Sequence, residues 1–566
     1  MPTTIHPSTP EYSTIEETYG IFKMICDKSM ELSIPSDAVA KMNQVHFTSV
    51  SDHIYYPIPM KVTETLAALK GVEGLLAAVL ADLRSGSSQE RKIQVNLEKA
   101  TVFGFQALNA RIDGMSRNCP GVKKILKDTD IHAAQSCTYR RLAANLYKTK
   151  NDNEFFHLHG SLNPTTVLRM IGLDGHQCDF VDYEDIIQLV EQHVQKYTAQ
   201  ELETMSITQG QAGVSAYRHK EFIKSSHGSI AMRQPYWTVS PLDGSLLTPT
   251  PFSQSDNSRV LDGIKVIELS CVIAGPIIGR ILAGYGAEVL RITNKGTPDV
   301  PFFQVDGNMG KRVADIDLKT EHGTAVFNDL LTDADVFING YRSGVLERLG
   351  YGYDVLVSLA EKRERASSMS TKTVSAMKVN GQSDRGGNKS QIVTGLAWKQ
   401  GKFMGRKTPI VSPLPVADYG AGCMGAITAL IGLYNRAKFG GSYHGKASLV
   451  QFNLLLLSLG EYSDSTQTAL RGTLPSDFFD IRYCDNVDKS SKAAMAIIQT
   501  KLPRDMPMLQ KWYADGYKAE VEVMGPVVDI DGVSQGFLRA TRPNGTDEPC
   551  WADDTMAVNF DYRIFE

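Results

Sequence analysis

Three groups of side chains in this sequence carry enough local pattern to suggest chemistry. Asp418 stands in LPVADYGAGCMG, where a proline-rich turn gives way to small and apolar residues. Ala426, Ile427, Leu430, Ile431 and Tyr434 follow at helical spacing, which predicts a buried helix ending near Gly440. A carboxylate in the first turn of a helix is favoured as the anion by about 0.3–1 kcal/mol through the backbone N–H groups and the helix dipole. The neighbouring Gly420 and Gly422 permit close backbone approach and can present N–H donors to a developing oxyanion. Two readings are open: Asp418 is a nucleophile or general carboxylate of a site, or it caps the helix, the commonest task for Asp there. The second group is His157 and His159 in FFHLHG, the one close histidine pair. No carboxylate or cysteine spacing beside them supports a metal site, and they read as structural. The third is the set of cysteines at 26, 119, 137, 178, 271, 423, 484 and 550, scattered and without a CxxC pair. They predict reduced thiols and a cytoplasmic setting.

The elements that must position these groups are clearest from Val260 onward. LDGIKVIELS reads as a buried strand, CVIAGPIIGRILAGYG as a Gly-Pro turn opening into a helix, and EVLRI as a second strand. TEHGTAVFNDLLTD is a helix and ADVFING a third strand. Strands and helices alternating in short steps predict parallel βαβ units, an α/β fold with a doubly wound, mostly parallel, Rossmann-like sheet. Ligands of such sheets sit beyond the carboxyl ends of the strands, here the loops Cys271–Pro276, Thr293–Thr297 and Gly340–Gly344. Residues 363–390, rich in Ser, Lys and Gly, read as a loop. An earlier stretch, IPMKVTETLAALKGVEGLLAAVLADLRSG, repeats the pattern of the Asp418 segment. Laid over it, Glu64 falls opposite Asp418 and Gly86 opposite Gly440, which predicts an internal duplication with a diverged first copy.

Length and composition bound the rest. A chain of 566 residues predicts two to four folded units, and 42% apolar with 22% charged residues is the balance of a globular protein. With 59 basic against 63 acidic residues the net charge is −4, so neither nucleic acid nor an anionic membrane is expected as partner. The polar N-terminus does not read as a signal peptide, and runs such as LLAAVLADL and NLLLLSLG are shorter than a bilayer span.

The motifs resemble those of the family III CoA-transferases, which include formyl-CoA transferase, carnitine CoA-transferase and α-methylacyl-CoA racemase. Leu261 to Pro276 matches LDGxxVxxLxxxxAGP, GAEVLRI the second strand, and Asn308 to Gly323 the segment NxGKRxxxxDLKTxxG. GYRSGVLERLG and Asp418 to Gly422 complete five motifs in family order. Over 55–245 the likeness is fainter, with FFHLHGSLNPTTVLRMIGL and PYWTVSPLDG similar to the small domain and return segment of fungal members.

The resemblance implies a CoA-transferase passing CoA from an acyl-CoA donor to a carboxylic acid acceptor. Asp418 would form first a mixed anhydride and then an aspartyl-CoA thioester. It implies that Val272, Ile273 and Ala274 line the pantetheine or adenine through their backbone, that Lys319 and Arg348 contact the nucleotide, and that Gly340 and Tyr341 flank the adenine or ribose. The bland alternative for Lys319 and Arg348 is a solvated helix face. Asn294, followed by Lys295, stands where the family often has Arg. No metal and no permanently bound cofactor are implied; CoA and acyl-CoA are substrates. The implied organisation is a diverged aspartate module at 1–150, a small α+β domain and return segment at 151–250, a CoA-binding Rossmann-like domain at 260–460, and a C-terminal return segment at 461–566. Because family members form interlocked dimers, the chain is expected as a homodimer or as an intramolecular pseudo-dimer of two incomplete copies.

Three competing readings remain. A 2-methylacyl-CoA racemase or epimerase needs a histidine some thirty residues before the aspartate, and none lies between His322 and His444. A dehydrogenase needs GxGxxG after the first strand, where CVIAGPIIG stands. The third is a catalytically degenerate CoA-binding or scaffold protein.

Overall fold

The computed structural model describes residues 12–242, 248–252, 258–341, 344–352, 354–356, 358, 387–504, 506 and 508–552. Its N-terminal part begins with helix α1 (Thr14–Asp27), strand β1 (Val45–Thr48) and the long helix α2 (Val62–Ser85). Strand β2 (Ile93–Asn96) and helix α3 (Leu97–Phe103) follow. The predicted βαβ segment then unfolds as β3 (Lys265–Leu269), α4 (Ala274–Gly284), β4 (Glu288–Thr293), β5 (Arg312–Asp315), α5 (Glu321–Asp333) and β6 (Val336–Asn339). Beyond it come α6 (Val416–Phe439), β7 (Tyr443–Ala447) and α7 (Leu449–Ser458).

The protein is a mixed α/β structure with a four-stranded parallel sheet in the order β5-β4-β3-β6. Three of its strands were expected; β5 was not, because it lies inside the GKRVADIDLK motif without a recognisable apolar run. Val266, Val289, Leu290, Val313 and Val336 are completely buried, consistent with strands covered on both faces.

Helix α2 is buried almost all round and packs along α6, which is buried in the same way. Helix α6 is long and apolar enough to cross a membrane, which the short apolar runs did not suggest, and all of its apolar window is buried inside the protein. Both helices have 24 residues; α2 ends at Gly86 (φ 69°) and α6 at Gly440 (φ 73°). Glu64 and Asp418 are each the third residue of their helix. After each helix comes a strand and then a helix whose N-cap side chain is bonded, Asn96 to the Lys99 N–H and Ser448 to the Gln451 N–H.

The two strands that follow these helices are completed crosswise. Trp237–Pro241, from the first half of the chain, pairs antiparallel with β7, with Trp237 opposite Ala447 and Val239 opposite Gly445. Val528–Ile530, from the end of the chain, pairs antiparallel with β2, with Val528 opposite Val95 and Ile530 opposite Ile93. In both ladders the exchanged strand begins opposite the residue just before the helix cap, so the register is the same.

Between them, Leu146–Lys148, Phe155–His157 and Val214–Ser215 form a small antiparallel sheet, whose first hairpin straddles residue 150. His157 is buried in its second strand, and the Ser161 N–H donates to His159 Nδ1 at 3.0 Å. Beside this sheet Cys137 and Cys178 form a disulfide, which corrects the expectation of reduced thiols throughout. The two are 41 residues apart in sequence, and only the fold brings them together. Of the expected loop at 363–390, residues 363–386 lie outside the described residues. Gly387–Thr394 is a helix, so its last part is corrected: it packs against α7.

Candidate active site

The carboxyl edge of the parallel sheet gathers the turns after β3, β4 and β6. Glycine at 340 is required by contact rather than by torsion. A Cβ there would lie 2.7 Å from Ser270 Cβ, and the Gly340 N–H donates to Leu269 O at 2.8 Å. The turns carrying Val272–Ala274 and Gly340–Tyr341 are thereby pressed together. Tyr341 is half-buried; burial first, and then the nearby Cys271, push its hydroxyl well above the ordinary tyrosine range. Burial likewise pushes the Cys271 thiol up to about 12, so it stands as the neutral thiol.

Val272 has φ +66°, left-handed backbone that a β-branched residue adopts at a cost of about 1–3 kcal/mol. Directly after it α4 begins, with Ile273 at the N-cap and no side chain capping the first turn. Beneath the turn lies a buried ionic network. Lys311 Nζ is 2.6 Å from Glu268 Oε2, and Arg291 bridges Glu268 (3.5 Å) and Asp299 (2.8 Å). The Ser270 hydroxyl donates to Glu268 Oε1 at 2.6 Å. Burial pushes Lys311 down to about 8, while the Glu268 carboxylate opposes that fall. Such a network is costly to desolvate and therefore more a geometric brace than a source of stability.

Helix α6 meets this edge through Gly422. A Cβ at 422 would lie 2.7 Å from Ile277 Cγ2 and 3.0 Å from Ala274 O, so only glycine lets the two helices approach so closely. Asp418 is one helical turn before Gly422 on the same face of α6. It is 6% exposed. Asp418 is not the N-cap residue itself: that position is Pro415, and Asp418 lies inside the first turn. Its neighbour Tyr419 is fixed by accepting the Ala107 N–H at 2.9 Å, a bond from the N-terminal part of the chain.

The structure thus brings Val272, Ile273, Ala274, Gly340 and Tyr341 to one edge, with α6 packed on α4 at Gly422, one turn after Asp418. Lys319 and Arg348 stand farther out. Lys319 is exposed in the turn after β5, its N–H donating to Asp317 Oδ1 at 3.0 Å. Arg348 is exposed after β6, its guanidinium folded back over Gly344. With β5 and β6 at opposite margins of the sheet, the two cations flank the edge from either side.

Two features had no signal in the sequence, one at this edge and one at the counterpart of Asp418. One is Asp299, which accepts the Val272 N–H at 3.3 Å and pairs with Arg291. The other is the environment of Glu64, completely buried, with the hydroxyls of Tyr12 (2.9 Å) and Tyr462 (3.0 Å) donating to Oε1. Burial pushes its carboxyl up to about 7.

Residues 261–459 match the family model described as CoA-transferase family III. The chain is 30% identical over 532 residues to an acetyl-coenzyme A transferase of Hypoxylon pulicicidum, covering 88% of this chain and 86% of that protein. It is 30% identical over 412 residues to an acyl-CoA transferase of Gibberella moniliformis, covering 71% of each. A shorter likeness, 37% over 98 residues, is to an α-methylacyl-CoA racemase of Mus musculus and covers 17% of this chain and 25% of that one.

Proposed function

The chain belongs to CoA-transferase family III, and on that premise we propose that it moves CoA from an acyl-CoA donor to a carboxylic acid acceptor with Asp418 as the covalent carrier. The observation that supports this reading is the close approach at Gly422, one helical turn after Asp418, to Ala274 and Ile277 of α4. The Asp418 carboxylate attacks the thioester carbonyl, the C–S bond breaks, and CoA leaves as thiolate, giving a mixed anhydride. The thiolate then attacks the Asp418 carbonyl, releasing the donor carboxylate and leaving an aspartyl-CoA thioester. The acceptor carboxylate attacks that thioester and again expels the thiolate. Attack of the thiolate on the acceptor acyl carbon yields the new acyl-CoA and regenerates Asp418. Each step exchanges one C–O or C–S bond for another and needs no redox partner.

The uncapped first turn of α4 supplies donors suited to the developing oxyanion. Gly420 and Gly422 do not, which corrects the sequence expectation: both lie inside α6 beyond its first turn, where the N–H groups are spent on the helix's own carbonyls, and they serve close packing against Phe452 and Ile277 instead. Val272, Ile273, Ala274, Gly340 and Tyr341 form the wall for the thioester arm, and Lys319 and Arg348 the charge for its phosphates. The doubly wound, Rossmann-like description of the parallel sheet belongs to the same reading. So does a pseudo-dimer of two fused copies, supported by the paired 24-residue helices and the exchanged strands. In the first copy the equivalent of Asp418 is Glu64, enclosed by two tyrosines, so one covalent site per chain follows.

The likeness to a racemase favours α-proton exchange as a second reading. Incubating acyl-CoA and candidate acids in heavy water separates the two. Transfer predicts a new acyl-CoA without deuterium at its α-carbon; α-deuteration without a new thioester would overturn it. His444, the next histidine after His322, lies in β7 beyond the far end of α6, and burial pushes it down to about 4.

A further inference from the structure

We propose that Asp299 is a positioning residue for the turn after β3, and that the N-terminal half of the chain latches it in place. This rests on the reading of that turn as a wall of the CoA site. A left-handed Val272 persists only where its surroundings over-determine it. Asp299 supplies that constraint. Its Oδ1 accepts the N–H groups of Val272 (3.3 Å) and Val300 (2.9 Å). Its Oδ2 accepts from Arg291 (2.8 Å) and from Asn544 Nδ2 (3.1 Å). Arg291 in turn donates to Ser270 O at 3.1 Å, so one carboxylate governs both the start of the turn and its strained residue.

Asp299 lies in a loop, and its main chain is anchored by Thr129. The Asp299 N–H donates to Thr129 O at 2.9 Å, and the Thr129 hydroxyl donates to Asp299 O at 3.3 Å while accepting Gln304 Nε2 at 2.7 Å. Thr129 stands 170 residues earlier, in a loop that carries its own hydrogen bonds. Asp130, 8% exposed, accepts the N–H groups of Ala134, Gln135 and Ser136. Arg140 Nε donates to His132 O at 2.6 Å, and the Cys137–Cys178 disulfide closes the base of the loop. The diverged half therefore anchors the backbone of the loop that holds this turn.

The test compares Asp299→Ala, Asp299→Asn, Thr129→Val and Val272→Gly in the full chain, read by acyl-CoA kinetics and by hydrogen exchange of the 270–276 peptide. Asp299→Ala is expected to raise the acyl-CoA KM by about tenfold with kcat held within about twofold, and to speed exchange of that peptide. Asp299→Asn, which keeps an acceptor for the Val272 N–H, should recover most of the loss. In a Val272→Gly background the Asp299→Ala penalty should shrink, because glycine takes positive φ without help. Thr129→Val removes only the hydroxyl and should shift KM and exchange in the same direction; it decides the matter if Asp299→Ala does not fold. Unchanged exchange in both Asp299→Ala and Thr129→Val overturns the latch. A wild-type chain that binds no CoA by titration calorimetry overturns the functional reading instead, while the exchange experiment still decides the latch.

Discussion

At the scale of single residues, two carboxyl groups stand at matching positions of matching helices. Asp418 was legible from its setting of glycines and small residues. Glu64 was legible as its counterpart, but its enclosure was not, because Tyr12 and Tyr462 come from distant parts of the chain. The Glu64 carboxyl, raised by burial to about 7, keeps its proton in the folded chain where an unfolded chain has lost it. The unfolded state therefore binds fewer protons between about pH 4.5 and 7, and stability must fall as pH rises through that window. The loss is on the order of 3 kcal/mol. Glu64→Gln should flatten this slope, so that its melting temperature relative to wild type rises from pH 5 to pH 8. A parallel course of the two curves would contradict the protonation of Glu64. The substitution should leave covalent labelling at Asp418 intact.

At the scale of elements, the decisive contact is that of α6 with α4. Gly422→Ala places a methyl group 2.7 Å from Ile277 Cγ2 and 3.0 Å from a backbone carbonyl, neither of which is a flexible side-chain end. A destabilisation of about 1–3 kcal/mol by denaturant titration is expected, with a fall in transfer rate beyond that of the unfolded fraction. Full activity in a folded Gly422→Ala would show that the approach of these helices is not needed. The parallel sheet could be read in advance because its central strands are continuous apolar runs. Strand β5 could not, since Lys311 and Arg312 stand at its start and its burial comes from partners far along the chain. Likewise Val272 reads as an ordinary turn residue in the sequence. Its positive φ goes with a bond to Asp299, whose own backbone is held by Thr129, both far from it in sequence.

At the scale of the whole molecule, the two halves are joined by exchange. Trp237–Pro241 completes the strand after α6, and Val528–Ile530 completes the strand after α2. The duplication was visible as a sequence echo, while the crossing of the return strands was not, because strand pairing over hundreds of residues leaves no local signal. Residues 1–246 and 247–566 expressed together as separate chains should co-purify as a 1:1 complex, since each half carries a strand of the other. Separate purification of two folded halves would contradict the exchange. The same architecture bears on the proposed chemistry, for it offers two carboxyl positions and ties one of them, Glu64, to two tyrosine hydroxyls. The most direct measurement is intact-protein and peptide mass spectrometry of the chain mixed with acyl-CoA and quenched with hydroxylamine. A single modification per chain is predicted, on the peptide containing Asp418 and absent in Asp418→Asn; modification at Glu64, at both positions, or undiminished in Asp418→Asn would contradict the account.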